Sequence, residues 1–577
     1  MYVNITGSKN NKDVYLYQSF RKEDGKTSSR IYKKLGKYNT LIARFDNDEE
    51  KMMEWAKEEA RKETEKYKDE TIPVPINLSS KAYIPKDEER SFNVGYLFLQ
   101  KICSRMRIDS ICRNIRNRHK FEFDFNAILT DLVYARILSP SSKLSSYSFC
   151  STLLEKPKYS LQNVYRALSV MADESFFIQE ELYRNSNFIH PRNSKILYYD
   201  CTNYFFEIEQ EDGDKRYGKC KENRPNPIVT LGLFMDADGI PLAFDIFPGN
   251  QNEQTTLKPL EQKIIKDFEC SEFIFCSDAG LGSKQNRFLN SFGNRGYVIT
   301  QSLKKMKKED QDTALSPTQF KKIGSDRFVD INTIDESDET VFNTVFYKEI
   351  PVVTGSMDET IIVTYSPKYK AYQKSVRDRQ IERAKKLINN PCIKRKGKNQ
   401  NDPARFISKT SVTSDGEVAS KDVYSLDEAK IAEEEKFDGF YAVITNLEDD
   451  VAEILRINRQ RWEIEENFRI MKTEFEARPV YVRKNDRIKA HFLVCYIALL
   501  VYRLLEKELG EEYTCEEIID TLRGMQMTLL SKNSGYTPSY KRTDITDLLH
   551  EKSGFHTDYE FISKSSMRSI IKSSKEI

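Results

Sequence analysis

Three carboxylates and two cations carry the chemistry that stands out in this chain: Asp200, Asp278, Glu465, Arg461 and Lys472. Asp200 lies inside the apolar run YYDCTNYF, and Asp278 ends FIFCSD just before Ala279-Gly280 breaks that run. Glu465 belongs to NRQRWEIEENFRIMKTEF, residues 458–475, whose apolar spacing is helical. An ionised Asp among Tyr, Ile and Leu is costly to bury unless something compensates its charge. Hard oxygen donors without a His or Cys cluster suit Mg²⁺ or Mn²⁺, which keep waters and accept substrate phosphates. Two such ions about 4 Å apart can activate a nucleophile and stabilise the leaving oxygen of a phosphodiester. Taken singly, each Asp is equally an ordinary strand-end cap or turn former, so the case rests on the set.

The helix around Glu465 sharpens it. With Arg461 as zero and about 100° per residue, Lys472, Glu465 and Asn458 fall at about 20°, 40° and 60°. The apolar stripe of Ile457, Ile464, Phe468, Met471 and Phe475 falls at roughly 280–340°. Arg461, Glu465 and Lys472 therefore form a column at the margin of the buried face, while Glu463, Glu466 and Glu474 take the far side. Such a column is either an i,i+4 ion pair worth about 0.2–0.5 kcal/mol, or a phosphate clamp beside a metal-binding carboxylate.

These residues need elements to hold them. A chain of 577 residues suggests about three or four domains. Its net charge of +2 does not by itself point to nucleic acid. Local charge does: Lys368 to Lys409 holds 14 Lys or Arg against 3 acids, the footprint of a basic patch or else of a solvated loop. Lys394, Arg395, Lys396 and Lys398 are its densest part. MYVNITGSKNNKD has no apolar core of a secretory signal. The apolar run Phe492 to Leu505 is too short to span a bilayer and contains Arg503, so a buried helix and no membrane partner are expected. The ten cysteines lack paired spacing, which favours reduced thiols. His190 and His491 read as packing or capping residues.

From residue 195 the period changes from helical to strand-like: KILYYDCTNYFFEI, then PIVTLGLFMD and IPLAFDIFPGN joined by the hairpin signal ADG. A helix, EQTTLKPLEQKIIKDF, precedes the short strands EFIFCSD and GYVITQS. This order predicts an α/β fold, a ribonuclease-H-like core interrupted by a β-rich insertion, with helical N- and C-terminal regions. The expected divisions are 1–89, a hairpin and helix unit; 90–190, a helical DNA-binding region; 191–302 and 437–480, the two parts of the core; 303–436, the basic insertion; and 481–577, a helical region.

The sequence resembles DDE transposases of bacterial insertion sequences, the cut-and-paste group with a large β-rich insertion before the catalytic Glu. Their signature, Y-x2-R-x3-E-x6-K, is matched by Arg461, Glu465 and Lys472, with Asn458 standing at the tyrosine. The runs YYDCTNYF, GKCKENRPNPIVTLGLFMDADGIPLAFDIFPGNQNE, CSDAGLGSKQN and RIKAHFLVCYIALL also look like family motifs. The resemblance implies that Asp200, Asp278 and Glu465 are catalytic ligands of two Mg²⁺ or Mn²⁺ ions, with Arg461 and Lys472 on DNA phosphates. It implies as partners double-stranded DNA, both terminal inverted repeats and target, and a homodimer in the synaptic complex. The setting it implies is bacterial, cytoplasmic and DNA-associated. The alternatives are a decayed or repurposed DNA-binding protein of the same fold, and a nuclease without strand transfer. All three acids are present, which favours activity.

Overall fold

Runs dense in β-branched and aromatic residues become strands, where such side chains pack best. The computed structural model describes residues 1–8, 11–21, 27–69, 81, 83–388, 401–412, 418–531 and 534–577. The chain divides into two compact units, Arg192–Phe468 and Met1–Pro191 together with Arg469–Ile577.

Arg192–Phe468 is built on a ten-stranded mixed sheet. β1 (Ile196–Phe205), β2 (Ile228–Met235) and β3 (Pro241–Pro248) form an antiparallel meander. β2 is buried along its whole length, as in a sheet covered on both faces. Its turn into β3 passes through Gly239 at φ +75°, a left-handed conformation that glycine adopts without a Cβ clash. Asp236 Oδ1 fixes the turn by accepting from the amides of Asp238 (3.1 Å) and Ile240 (3.0 Å). After α1 (Leu257–Asp267), β4 (Ile274–Ser277) pairs parallel with β1, and β5 (Gly296–Thr300) parallel with β4.

Most strands between residues 303 and 436 extend this sheet. β6 (Phe320–Lys322), β7 (Phe328–Val329), β8 (Phe346–Thr354) and β9 (Met357–Tyr365) join its far side. β10 (Phe440–Thr445) lies antiparallel between β5 and β9. The full order is β3-β2-β1-β4-β5-β10-β9-β8-β6-β7. Among the described residues, Ile407–Val412 and Val418–Leu426 pair antiparallel with each other, apart from this sheet. The helix α2 (Pro367–Ile388) carries the first half of the basic stretch. Several of its cations are already paired: Arg377 with Asp438 (2.6 Å) and Glu435 (3.2 Å), and Lys370 with Glu336 (2.9 Å). Lys394, Arg395, Lys396 and Lys398 lie outside the described residues.

Residues 458–475, expected as one helix, are split. α3 (Val451–Gln460) ends and α4 (Trp462–Lys472) begins around Arg461. The Arg461 amide bonds the Asn458 carbonyl (3.3 Å) and the Ile464 amide bonds the Arg461 carbonyl (3.2 Å), so the turn tightens to i,i+3 spacing. Arg461 itself stays right-handed helical.

In the other unit, strands Tyr2–Ser8, Asn11–Arg21 and Thr27–Lys37 form an antiparallel sheet, with the helix Glu49–Asp69 packed on Val14 and Leu41 through Met52. The helices Tyr96–Arg105, Phe125–Leu138, Leu161–Asp173 and Ser175–Ser186 pack on α5 (Asn485–Glu508). That helix is long and apolar enough for a membrane, but its apolar window is 94% buried within the protein. His491 Nε2 lies 2.9 Å from the Ala477 carbonyl, a capping contact. The helical C-terminal pattern conceals short strands: Gln526–Leu529, Gly535–Pro538 and Ile562–Ser563 form a four-stranded sheet with Ser91–Asn93. α6 (Asp544–Ser553) lies among them in sequence. All described cysteines are unpaired and buried.

Candidate active site

β1 and β4 are neighbouring parallel strands, with Tyr198 opposite Cys276. Asp200 and Asp278 each lie two residues further along. Asp200 lies within β1 and Asp278 is the residue that follows β4, near enough for its charge to act on Asp200. One oxygen of each carboxylate is held by backbone. Asp200 Oδ1 accepts from the Cys201 amide (2.7 Å), and Asp278 Oδ1 from the amides of Gly280 (2.9 Å) and Leu281 (3.1 Å). The second oxygen of each accepts no hydrogen bond from the described residues. A Cβ on Gly280 would come within 3.2 Å of Asp278 Oδ1, so the absence of a side chain there lets the backbone wrap the carboxylate.

Burial pushes the Asp200 carboxyl up to about 6; the Asp278 charge adds to this, while Lys221, the Cys201 amide and Arg461 oppose it. Lys221, in the loop between β1 and β2, donates to the Cys201 carbonyl. Burial draws its ammonium down, but Asp200, Glu253, Cys201 and Asp278 outweigh that and hold it above its ordinary value. Nothing in the sequence singles out Lys221: one lysine in a loop of Gly, Pro and Asn carries no spacing signal.

The Tyr198 hydroxyl bonds the Ile457 carbonyl (3.0 Å) and Gln460 Oε1 (3.2 Å), tying α3 to β1. This brings Arg461 to the carboxylates. Its Nη1 lies 3.3 Å from Glu465 Oε1; the Arg461 side chain is 20% exposed and that of Glu465 62%. Burial lowers the Arg461 pKa, but Tyr441, Glu465, Cys276 and Asp200 together raise it further. Glu465 contacts Arg461, whose charge also reaches Asp200, but its carboxylate is not gathered with the two aspartates into one cluster of ligand atoms among the described residues. Asn458 is buried, its Nδ2 donating to the Tyr441 hydroxyl (2.9 Å), which lies 2.7 Å from Thr300 Oγ1. The phenol that Asn458 contacts therefore comes from β10, where nothing in FDGFYAVITN marks it. Lys472 is the last residue of α4 and falls in the other unit.

Among the described residues, Asp200, Asp278 and Glu465 each keep an oxygen without a hydrogen bond. That donor set fits a hard divalent cation.

The family model for the transposase DDE domain matches residues 204–501. Asp278, Arg461, Glu465 and Lys472 fall inside that span, and Asp200 stands just before it. No curated protein matches the chain. Among solved structures, a piggyBac transposase in a synaptic complex with hairpin DNA is similar at 8% identity and a TM-score of 0.34, covering 83% of this chain and 85% of that one.

Proposed function

Because this chain belongs to the transposase DDE domain family, we propose that it cuts DNA at the ends of an insertion sequence and joins the freed 3′-hydroxyls to target DNA. The observation that carries this reading is the approach of Asp200 in β1 to Asp278 at the end of the neighbouring β4, with the charge of Arg461, paired to Glu465, also acting on Asp200. The order 3-2-1-4-5 of β1 to β5, three antiparallel strands then two parallel, supports a ribonuclease-H-like core.

In this reading Asp200, Asp278 and Glu465 hold two Mg²⁺ or Mn²⁺ ions. Such ions make water or a 3′-hydroxyl a stronger nucleophile and neutralise the leaving oxygen. The chain's own groups do the rest. Arg461 and Lys472 grip phosphate oxygens and set the scissile bond against the carboxylates. Lys221 offsets the Asp200 charge from the opposite loop. Lys394, Arg395, Lys396 and Lys398 contact DNA outside the scissile bond, and residues 90–190 contribute to end recognition. The partners are double-stranded DNA, as terminal inverted repeats and target, and a second copy of the chain in the synaptic complex. The setting is the DNA of a bacterial cytoplasm.

Nicking of DNA that carries the element's ends tests the reading. Cleavage is expected with Mg²⁺ or Mn²⁺, and binding without cleavage with Ca²⁺. Full cleavage in EDTA would overturn the mechanism. End binding with no cutting in any metal would identify a repurposed DNA-binding protein.

A further inference from the structure

A second group of ligand atoms converges near the end of the chain, in residues that the transposase reading does not use. His550 sits in the last turn of α6, with His556 and Asp558 in the loop that follows. His556 Nδ1 lies 3.1 Å from Asp558 Oδ1, and His550 Nδ1 lies 3.7 Å from Asp558 Oδ2. One ligand atom from each residue falls within 4.8 Å of the others. The two imidazoles face each other at 5.3 Å with 17° between their planes. Four ligands at about 2.1 Å around a tetrahedral zinc stand about 3.4 Å apart. The two separations lie on either side of that length, each running to a different oxygen of the Asp558 carboxylate.

His550 supplies the decisive observation. Its side chain is fully buried, packed edge-on against Phe98, and its Nδ1 makes no hydrogen bond among the described residues. The 3.7 Å to Asp558 is too long for one. Its other nitrogen is engaged: Nε2 lies 2.9 Å from Thr557 Oγ1, which in turn meets the Tyr540 hydroxyl at 2.8 Å. In the tautomer with the ring proton on Nε2, Thr557 Oγ1 accepts and the Nδ1 lone pair faces Asp558, the outer-sphere arrangement that orients a metal-binding histidine. Arg542 also approaches Asp558, at 3.5 Å, but its shorter bond of 2.5 Å goes to Asp547. Asp558 is therefore shared with Arg542 without being consumed by it.

We propose that His550, His556 and Asp558 bind one divalent transition-metal ion of the zinc class, its fourth position open, which fastens the end of α6 to the loop before Ile562–Ser563. Two imidazoles with one carboxylate favour zinc over Mg²⁺. The role is structural, so this site would hold metal whether or not the chain cuts DNA.

The test uses the full chain with Asp200→Asn and Glu465→Gln in every arm, so that the other carboxylates are weakened alike. Chelator-stripped protein is titrated with Zn²⁺ against a competing dye and with Co²⁺ by visible absorption. One equivalent is expected to bind with a tetrahedral Co²⁺ spectrum, and Zn²⁺ is expected to raise the melting temperature. His556→Ala and Asp558→Asn, at more accessible positions than His550, are each expected to lose at least about 100-fold in affinity, more than removal of an outer-sphere partner costs. Zinc-edge X-ray absorption on the unaltered site is expected to show two imidazoles, which decides the matter even if a variant fails to fold. No stoichiometric binding, or equal affinity in both variants, would leave only a hydrogen-bonded histidine–aspartate pair and overturn the proposal.

Discussion

Asp200, two residues beyond Tyr198 in β1, lies close enough to Asp278, the residue that follows β4, for the Asp278 charge to act on it. The relationship has an electrostatic cost. Burial of Asp200, with the Asp278 charge adding to it, holds its proton up to about 6. A fold selected for stability alone has no use for that pair, and a bound cation removes the penalty.

Asp200→Asn removes one of these charges at nearly constant volume. Metal-dependent cleavage is expected to fall by several orders of magnitude, with end binding largely retained. Cleavage within tenfold of the parent would show that Asp200 holds no reacting group.

The same variant makes a stability prediction. A carboxyl whose folded pKa lies above its unfolded value binds more protons folded than unfolded, here between about 3.9 and 6. Its favourable contribution is whole below about pH 3.9 and is lost as the pH rises through about 6. In chelator at pH 8, Asp200→Asn is therefore expected to be the more stable protein, by roughly 3 kcal/mol, with the gap closing toward pH 4. Thermal melts at the two pH values check it; equal melting at pH 8 would mean that Asp200 is solvated.

A buried cation in the other unit gives an independent pH signature. Lys143 is 3% exposed and its Nζ makes no hydrogen bond among the described residues. Burial, with Arg136 adding, draws its pKa down to about 7. Between about 7 and the unfolded value near 10.4, the unfolded chain carries the extra proton, so stability rises with pH across that window. Lys143→Met is expected to flatten the rise and to stabilise the protein at pH 7. Denaturant titrations of both proteins at pH 7 and 9 measure it, and matching slopes would exclude Lys143 as the source.

Much of this architecture is legible in the residues themselves. β1, β2 and β3 announce themselves through aromatic and β-branched density and the Ala237-Asp238-Gly239 turn, because local packing preference and a left-handed glycine decide them. Long-range pairing is not local, so nothing in FDGFYAVITN shows that β10 inserts between β5 and β9. The tightening at Arg461 has no Pro or Gly to mark it. The strands Gln526–Leu529 and Gly535–Pro538 are too short to establish an alternation. At the site, the residue types of Asp200, Asp278 and Glu465 suggest metal chemistry. That the aspartates approach each other follows only from the parallel pairing of β1 with β4, and the approach of Lys221 and Tyr441 only from the folded loop and sheet.

The basic stretch separates into two halves with different expectations. Cations of α2 such as Arg377 are tied to acids of their own unit and are poor candidates for phosphate contacts. Replacing Lys394, Arg395, Lys396 and Lys398 with Gln is expected to weaken end binding and to reduce the slope of log K against log salt by about 0.9 for each phosphate no longer neutralised. An unchanged slope would assign those residues to a solvated loop.

Arg461 and Glu465 give the sharpest division between structure and chemistry. Their contact is 3.3 Å long and Glu465 is 62% exposed, so as an ion pair it contributes at most about 1 kcal/mol. If that were its whole role, Arg461→Gln and Glu465→Gln would melt slightly lower and cut DNA normally. The proposed roles predict otherwise, and differently for each. Arg461→Gln, and likewise Lys472→Gln, is expected to lose at least tenfold in end-DNA affinity or cleavage, about 1.4 kcal/mol, with little change in melting. Glu465→Gln keeps the helix, its packing and the neighbouring cations, but removes a metal ligand. Binding is then expected to persist while cleavage disappears. Melts, end-DNA binding and cleavage on the three proteins distinguish these outcomes. Normal cleavage in all three would reduce the column to a surface ion pair.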